Sequence, residues 1–200
     1  MSIDLRIAGP ELVLRRATAS DAQALFDLGS DPETTRYMSW GPYTEIGQAE
    51  RFIDGMDVQV ERGEELGLLV TRENEILGVT AYTEPRPRDR SVVIGTWLGK
   101  AHWGTGVNTE SKALMAALAF RAMGVERLSV YAAVTNERSR GALAKVGFTE
   151  EGTLRRFHRH GDEWHDLVIG SILRSEYPSG PLASIPAEIS GAVPPNWIFA

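Results

Sequence analysis

Cysteine is the most informative absence, because the 200-residue chain contains none. Disulfides, thiolate metal sites and a covalent cysteinyl intermediate are therefore excluded, and the composition fits a reducing compartment. The N-terminal residues lack the apolar segment of a signal peptide, and no apolar run approaches the ~18 residues that cross a bilayer. We therefore expect a cytoplasmic protein with no membrane partner.

A surplus of positive charge is also missing. Lys and Arg number 21 against 27 Asp and Glu, which gives a formal net charge of −6. Because affinity for nucleic acid depends on neutralising phosphates, an acidic chain is a poor default binder of it, and we expect no nucleic-acid partner. The hydrophobic fraction of 42% argues against disorder. A chain of this length can bury one self-sufficient core.

The domain organisation predicted from these features is simple. No internal repeat occurs, and residues 1–177 are expected to form a single domain. Residues 178–200 form a Pro-rich tail that ends in Trp197, Ile198 and Phe199. Three consecutive apolar side chains disfavour water, so the tail is expected to dock on the domain or on a partner subunit. A homodimer is therefore a possibility to test.

The hydrophobic periodicity predicts the element order β-α-α-β-β-β-α-β-α-β-β. The first strand is expected over residues 11–16, and a helix is expected to begin at Thr44 and to end at Gly63. Strands at 66–71 and 76–83 flank a polar turn, which favours an antiparallel hairpin. Residues 91–134 read as a parallel strand–helix–strand unit. The predicted fold class is α/β, with a mixed, mostly antiparallel central sheet, one parallel βαβ unit and helices on both faces.

A loop with two glycines lies between the predicted strand at 91–98 and the next helix. Gly104 and Gly106 leave backbone N–H groups free at a helix N-terminus, an arrangement that suits phosphate. The loop lacks the third glycine of G-x-G-x-x-G and the G-K-[ST] ending of a P-loop, so neither nucleotide motif is present. Taken alone, the loop reads equally well as a tight turn without a ligand.

Several ordered motifs extend this loop. Residues 99–112 (GKAHWGTGVNTESK) are followed by Asn136 with Ser139 and then by Gly147 with Phe148. Together they resemble the GNAT superfamily of acyl-CoA-dependent N-acyltransferases, and most closely its RimJ/RimL-like branch of ribosomal-protein N-terminal acetyltransferases. The resemblance covers residues 12–173 in element order, and its strong motifs lie within 97–148.

The resemblance implies acetyl-CoA as a cosubstrate. The amides of the 103–108 loop would hold the pyrophosphate, in agreement with the charge of a helix N-terminus. Main-chain groups of Trp97 and Leu98 would bind pantetheine, with an N–H near Leu98 as the oxyanion donor. Asn136 and Ser139 would also contact pantetheine, although Asn136 equally suits helix capping. The expected cofactor-binding residues are Trp97, Leu98, Trp103, Gly104, Thr105, Gly106, Val107, Asn108, Asn136 and Ser139.

The catalytic residues are less well defined. In many GNAT proteins a tyrosine four residues before the glycine of the final Gly-Phe pair acts as the acid for the leaving thiolate. This chain has Leu143 at that position. Ser139 is therefore the candidate acid, better suited to hydrogen-bond the leaving thiolate than to protonate it fully. Glu84 and Asp166 are the candidate bases. The alternatives are a salt bridge with a nearby arginine for each carboxylate, and a water chain as the base.

Two further segments are candidates for the acceptor pocket. Tyr37, Trp40 and Tyr43 lie in an aromatic loop, whose alternative role is packing between the first two helices. Residues 157–166 contain three of the four histidines, of which His158 is expected at the acceptor rim. Their spacing matches no zinc signature, so no metal is expected.

The predicted activity is transfer of an acetyl group from acetyl-CoA to a primary amine by direct attack in a ternary complex. The attacking amine must be neutral. With reference pKa values of about 7.8 and 10.4, deprotonation at pH 7 costs about 1.1 kcal/mol for an α-amine and about 4.6 kcal/mol for lysine. This difference favours a protein or peptide α-amine, or a small-molecule amine of low pKa.

Two other functions remain open from the sequence. The first is a catalytically silent acyl-CoA-binding module or sensor, which the missing tyrosine and the undefined base favour. The second is a nucleotide-binding regulator, which the missing P-loop lysine makes the weaker interpretation.

Overall fold

One nine-stranded sheet organises the computed structural model, which describes residues 4–160 and 162–199. The strand order across the sheet is β7-β8-β6-β5-β4-β3-β2-β1-β9. The strands are β1 (Arg6–Ala8), β2 (Val13–Arg15), β3 (Glu65–Arg72), β4 (Glu75–Arg86), β5 (Ser91–Leu98), β6 (Arg127–Ala133), β7 (Thr149–His160), β8 (Glu163–Leu173) and β9 (Glu188–Ser190). The α-helices are α1 (Ala22–Gly29), α2 (Pro32–Thr35), α3 (Ile46–Arg62), α4 (Val107–Ala117) and α5 (Glu137–Lys145).

The strand pairing confirms the predicted fold class. β5 and β6 are parallel, and each of the other neighbouring pairs in this sheet is antiparallel. A parallel pair needs a crossover, and α4 supplies it between β5 and β6. No helix in the part of the chain that the structure describes is both long and apolar enough to span a bilayer.

Helices cover both faces of the sheet, because β3 and β4 are apolar on both sides. On β3, Leu66 and Leu68 belong to the large core cluster that contains α4, whereas Leu69 belongs to a second cluster with residues of α1 and α3. Successive strand residues point to opposite faces, so a continuous apolar run is what a sheet between two helical layers requires.

Helix α3 shows how local sequence fixes the bounds of an element. Glu45 and Gln48 form a capping box at its start, and Gly63 ends it with a φ of 68°. A left-handed residue at this place favours glycine, because glycine has no Cβ. The helix predicted from Thr44 to Gly63 is therefore confirmed, apart from a difference of two residues at its start.

The sheet differs from the prediction at its outer edge. The first predicted strand is shorter, spanning Val13–Arg15, and β1 precedes it. Strands of three residues carry too few positions for an alternating pattern, which is why β1 and β9 escaped detection.

The C-terminal tail packs against the domain within its own chain. Strand β9 pairs antiparallel with β1, which extends the sheet by one strand. Trp197 is fully buried, and its Nε1 donates a hydrogen bond to the carbonyl oxygen of Val60 at 3.2 Å. The main-chain N–H of Phe199 bonds to the carbonyl oxygen of Met123 at 2.7 Å. These contacts occupy two of the three apolar residues at the end of the tail.

Candidate active site

A gap opens in the middle of the sheet between β5 and β6. The two strands pair only from Ser91 to Val93, although β5 continues to Leu98 and β6 to Ala133. The N–H of Gly99 bonds to the carbonyl oxygen of Leu77 on the β4 side. Because successive N–H groups of a strand point to opposite edges, those of Leu98 and Thr96 point into the gap. The gap is therefore lined by backbone donors that no neighbouring strand uses.

The same alternation corrects the expectation for Trp97. Its main-chain groups face β4, and its carbonyl oxygen lies close to Gly78 on that strand. The residue whose N–H faces the gap beside Leu98 is Thr96. The side chain of Trp97 lies on the face that carries α1 and α3, where its ring meets the ring of Trp40 at 5.1 Å.

The glycine loop lies where β5 ends. Gly104 and Gly106 have φ values of 75° and 91°, and no heavy atom of the described residues beyond the chain neighbours comes within 4 Å of a Cβ built on either. These conformations need glycine, and the open space over them lets a ligand approach the backbone closely. Gly106 is the N-cap of α4, so the free N–H groups of the helix lie directly behind it.

The glycine loop and helix α5 together line a small pocket of about 130 Å³. Trp103 fixes the loop, since its Nε1 donates to the carbonyl oxygen of Leu98 at 2.8 Å and its ring lies 3.4 Å from the Arg138 guanidinium. The pocket brings together six of the ten expected cofactor residues. Its lining consists of Leu98, Trp103, Gly104, Asn108, Asn136, Arg138, Ser139 and Ala142.

The other expected cofactor residues have different surroundings. Thr105 donates its hydroxyl to the carbonyl oxygen of His102 at 2.8 Å, which closes the loop on itself. Val107 is buried in the core below α4, so only its backbone is available to a ligand. Gly106 adjoins the pocket and offers open space.

Asn136 and Ser139 meet at the start of α5. The Oδ1 of Asn136 accepts a hydrogen bond from the N–H of Ser139 at 3.1 Å, so helix capping is one role of this asparagine. Within residues 4–160 and 162–199, the hydroxyl of Ser139 makes no hydrogen bond. It lines the pocket and is free to bond to a ligand there.

The two candidate bases already have partners. Asp166 accepts a hydrogen bond at 2.7 Å from the N–H of Arg156, a residue with a φ of 49° at an irregularity of β7. This contact gives Asp166 a structural role in shaping the strand. Glu84 accepts a hydrogen bond from the hydroxyl of Tyr131 at 3.3 Å and remains exposed. It lies in a groove beside the paired start of β5 and β6.

A larger pocket of about 410 Å³ lies on the sheet face that carries α1 and α3, next to the open half of β5. Trp40 and Tyr43 line it, and their rings pack at 5.0 Å. Tyr37 is not part of the lining; the Arg36 guanidinium sits 5.5 Å from its ring. The full lining is Met38, Trp40, Tyr43, Phe52, Glu65, Val79, Ala81, Thr83, Gly95, Thr96 and Trp97.

His158 lies outside this lining, on the β7–β8 hairpin. Its Nε2 is buried and has no hydrogen-bond partner among the described residues. Burial lowers the pKa of His158, and the neighbouring His165 and His160 lower it further. The described residues contain no group of three or more Asp, Glu or His side chains arranged to hold a metal ion.

Glu65 is a pocket residue that the sequence analysis missed. It is the first residue of β3, and burial raises the pKa of its carboxyl group. In the described part of the chain its carboxylate forms no hydrogen bond or ion pair. In the sequence, a charged residue at the start of an apolar strand indicates only an ordinary strand end. Only its register on the pocket face, two residues before Gly67, gives it significance.

Lys112 is the second residue that the sequence analysis missed. This lysine on α4 is buried against β5, and burial lowers its pKa from 10.5 to about 8. Its Nζ donates to Oγ1 of Thr96 at 3.1 Å, and Thr96 in turn meets Oγ1 of Thr80 at 2.9 Å. A buried amine thus lies beneath the strand that separates the two pockets.

Comparisons with known proteins agree with this geometry. The family model described as an acetyltransferase (GNAT) domain matches residues 11–149. The chain belongs to the GNAT family of acetyltransferases. It is therefore an acetyl-CoA-dependent enzyme by class, and the resemblance to the RimL-like branch is confirmed.

Individual relatives and solved structures include further acetyltransferases. The N-acetyltransferase p20 of Bacillus licheniformis is 28% identical over 168 residues, which cover 83% of this chain and 94% of that protein. The ribosomal-protein-serine acetyltransferase of Escherichia coli is 26% identical over 133 residues, 65% of this chain and 73% of that protein. The structure of RimL, a ribosomal L7/L12 α-N-protein acetyltransferase in complex with coenzyme A, superimposes with a TM-score of 0.73 at 24% identity, covering 82% of this chain and 94% of that one.

Proposed function

We propose that this GNAT enzyme acetylates the α-amine of a peptide or protein, or a small-molecule amine of similarly low pKa. The observation that carries the proposal is the gap between β5 and β6, which presents unpaired N–H groups next to the Gly104–Gly106 loop. A ligand that is extended at one end and anionic at the other complements this surface, and acetyl-CoA has both properties.

The donor would bind along the gap. Its pyrophosphate would lie at the N-terminus of α4, where helix dipole and free N–H groups favour an anion. Pantetheine would extend along β5 and hydrogen-bond to the main chain as a further strand would. The fixed charge of Arg138, stacked on Trp103 at the pocket wall, adds a cation on the anionic side.

The acceptor would approach from the aromatic pocket on the other side of β5. The amine lone pair attacks the thioester carbon, and the developing oxyanion is stabilised by the N–H of Leu98, a donor of the kind worth about 10²–10³ in rate. The C–S bond then breaks, and the thiolate accepts a hydrogen bond from the hydroxyl of Ser139. The proton of the amine passes to water, because Glu84, the candidate base with an exposed carboxylate, lies beside the paired start of β5, six residues from Leu98 along the strand and so roughly 20 Å away.

A screen with mass detection tests this function. The purified chain is incubated with acetyl-CoA and a panel of α-amine peptides, lysine-blocked and α-blocked peptides, and small amines. We expect equal amounts of free thiol and acetylated product, with α-amines acetylated faster than lysine side chains. Comparable rates on both kinds of amine would contradict the preference for an α-amine. Binding of acetyl-CoA without release of thiol would favour the silent acyl-CoA-binding module.

The quaternary structure and location stay predictions. We propose a cytoplasmic protein, because the absence of cysteine suits a reducing compartment. A homodimer is expected from the family resemblance, and sedimentation that shows a monomer would remove it. The division into a domain at 1–177 and a tail at 178–200 also remains a proposal, as does the absence of a metal from the reaction.

A further inference from the structure

The aromatic pocket contains one charged group that the acetyl transfer does not use. Glu65 lies in the lining of the pocket, together with the rings of Trp40, Tyr43, Phe52 and Trp97. A carboxylate among aromatic side chains loses hydration and gains nothing from apolar neighbours. Glu65 is half-buried, and this partial loss of hydration is unfavourable unless a ligand supplies an opposite charge.

No cation in the described part of the chain serves that purpose. The guanidinium of Arg16 is the basic group that reaches the neighbouring part of β3, and it is engaged by Asp57 and by the carbonyl oxygen of Gly67. Across residues 4–160 and 162–199, Glu65 takes part in no salt bridge. The negative charge thus faces the pocket without a counter-ion from the described chain.

Thr83, Ala81 and Gly95 form the floor of the pocket between Glu65 and the far side of β5. Gly67, Ala81 and Gly95 occupy one row across three strands, and none has a side chain larger than a methyl group. A Cβ built on Gly67 would lie 2.9 Å from Cε of Met56 and 3.5 Å from Oε1 of Glu65, so Met56 covers Gly67 and the carboxylate lies beside it at the end of the row. A Cβ built on Gly95 would meet no atom of residues 4–160 or 162–199 within 4 Å, which leaves space beside β5.

The distance excludes Glu65 as the base for the reacting nitrogen. Two strand spacings and two residues along the strand separate it from Gly95, or roughly 12 Å between the two Cα atoms. The attacking amine must lie beyond β5, at the gap. A group that contacts Glu65 is therefore a second group of the same acceptor molecule, connected by a linker that crosses Ala81 and Gly95 in the pocket lining.

We infer that the pocket selects an acceptor whose α-amine is followed by a positively charged side chain, and that Glu65 binds this second charge between the aromatic rings. The inference rests on the proposed acetylation of an α-amine and names its substrate class. Faces of Trp and Tyr attract cations, and the effect increases when water is excluded. The carboxylate provides the charge complement, so Glu65 is a specificity-determining residue.

Binding of three matched peptide amides tests the inference without relying on turnover. Ala-Lys-Ala, Ala-norleucine-Ala and Ala-Glu-Ala differ only in the charge of the second side chain. Each is titrated into the full chain with coenzyme A present, and the fluorescence of the pocket tryptophans reports binding. We expect the lysine peptide to bind at least tenfold more tightly than the norleucine peptide, and the glutamate peptide to bind most weakly.

Two variants and a control assign the effect to Glu65. Glu65→Gln is expected to abolish the difference between the lysine and norleucine peptides, and Glu65→Lys is expected to favour the glutamate peptide. Glu64→Gln removes the same charge from an exposed neighbour and should keep the preference of the parent chain. Circular dichroism of each variant verifies that it is folded.

The outcomes separate this inference from the proposed function. Equal affinity for the three peptides, no binding of any of them, or a lysine preference that survives Glu65→Gln would overturn the role of Glu65. Thiol release with the same peptides is measured in parallel. Release without charge preference leaves acetyl transfer standing and refutes only the inference, whereas charge-selective binding without release refutes the proposed function.

Discussion

The two pockets on either side of β5 differ in the groups that line them. The cofactor side uses main-chain N–H groups, glycine and helix ends, with Gly104 and Gly106 in conformations that few other residues adopt. The acceptor side uses side chains, with Trp40, Tyr43 and Glu65 among its walls. A backbone site depends on where the chain turns, so it tolerates changes in most side chains. A side-chain site changes its ligand with single substitutions.

The largest expected effect comes from a change in the backbone of the glycine loop. Gly106→Val places a β-branched residue at a φ of 91°, where such residues are strained, and puts a side chain where phosphate would lie. We expect the dissociation constant of acetyl-CoA to rise by two to three orders of magnitude, about 3–4 kcal/mol, in calorimetric titration.

The matched control for Gly106→Val is Gly63→Val. Gly63 ends α3 with a φ of 68°, far from the gap, so its replacement costs stability through the same strain. It should leave acetyl-CoA affinity unchanged. Equal losses of affinity in both variants would show that the glycine loop acts only through general stability.

The burial of Lys112 beneath β5, the strand between the two pockets, can be tested through the pH dependence of stability. Its native pKa of about 8 lies below the ordinary value, so between about pH 8 and 10.5 the unfolded chain binds more protons than the native one. Unfolding free energy therefore rises with pH in this window. From the shift of 10.5 − 8 = 2.5 units at 1.36 kcal/mol each, the rise is roughly 3 kcal/mol at most.

Urea titrations at pH 7 and at pH 10.5 measure this effect, with Lys112→Met as the reference that lacks the titrating group. The parent chain should gain stability relative to the methionine variant as pH rises. A constant difference between the two proteins would show that the lysine is not buried as described.

Replacement of Ser139 by alanine separates acetyl-CoA binding from catalysis in the cofactor pocket. The hydroxyl bonds to no residue in the described chain, so Ser139→Ala should leave stability and acetyl-CoA affinity almost unchanged. A hydrogen bond to a developing thiolate is worth about 1.5–3 kcal/mol, so kcat should fall by roughly 10- to 100-fold. Steady-state kinetics separates the two parameters, and a rise in KM without loss of kcat would assign Ser139 to binding alone.

The smallest expected effect concerns the acceptor side. Burial raises the pKa of Glu65, so in the window above its ordinary value the native chain binds more protons than the unfolded one. Stability then falls as pH rises, and at neutral pH the carboxylate destabilises the empty protein. Glu65→Gln should therefore raise the melting temperature slightly at pH 7 and not at pH 4. A lower melting temperature at pH 7 would contradict the account of an unpaired charge.

The same contrast explains what could be predicted from the sequence. The loop at 103–108 and the parallel unit around it could be predicted, because glycines, helix caps and strand periodicity are local signals. The sequence did not predict which edge of β5 the N–H and carbonyl groups of Trp97 face, since this depends on the register of β5 with β4. Glu65 and Lys112 also escaped, because their environments arise from strands and helices far apart in the chain.

Shorter elements failed for a related reason. β1 and β9 each have three residues, and they form only because β1 pairs with β2 and then receives β9 from the C-terminal tail. The aromatic loop at 37–43 was identified by composition, yet only two of its three aromatic residues reach the pocket. Composition marks the segment, and packing decides which side chains enter the site.

The central claim is that the gap between β5 and β6 holds acetyl-CoA and delivers its acetyl group to an α-amine. The most direct measurement is a single-turnover reaction of enzyme-bound acetyl-CoA with the peptide Ala-Lys-Ala amide, quantified by mass. The account predicts one acetylated α-amine for each thiol released. Bound acetyl-CoA that stays intact with every α-amine peptide would contradict it.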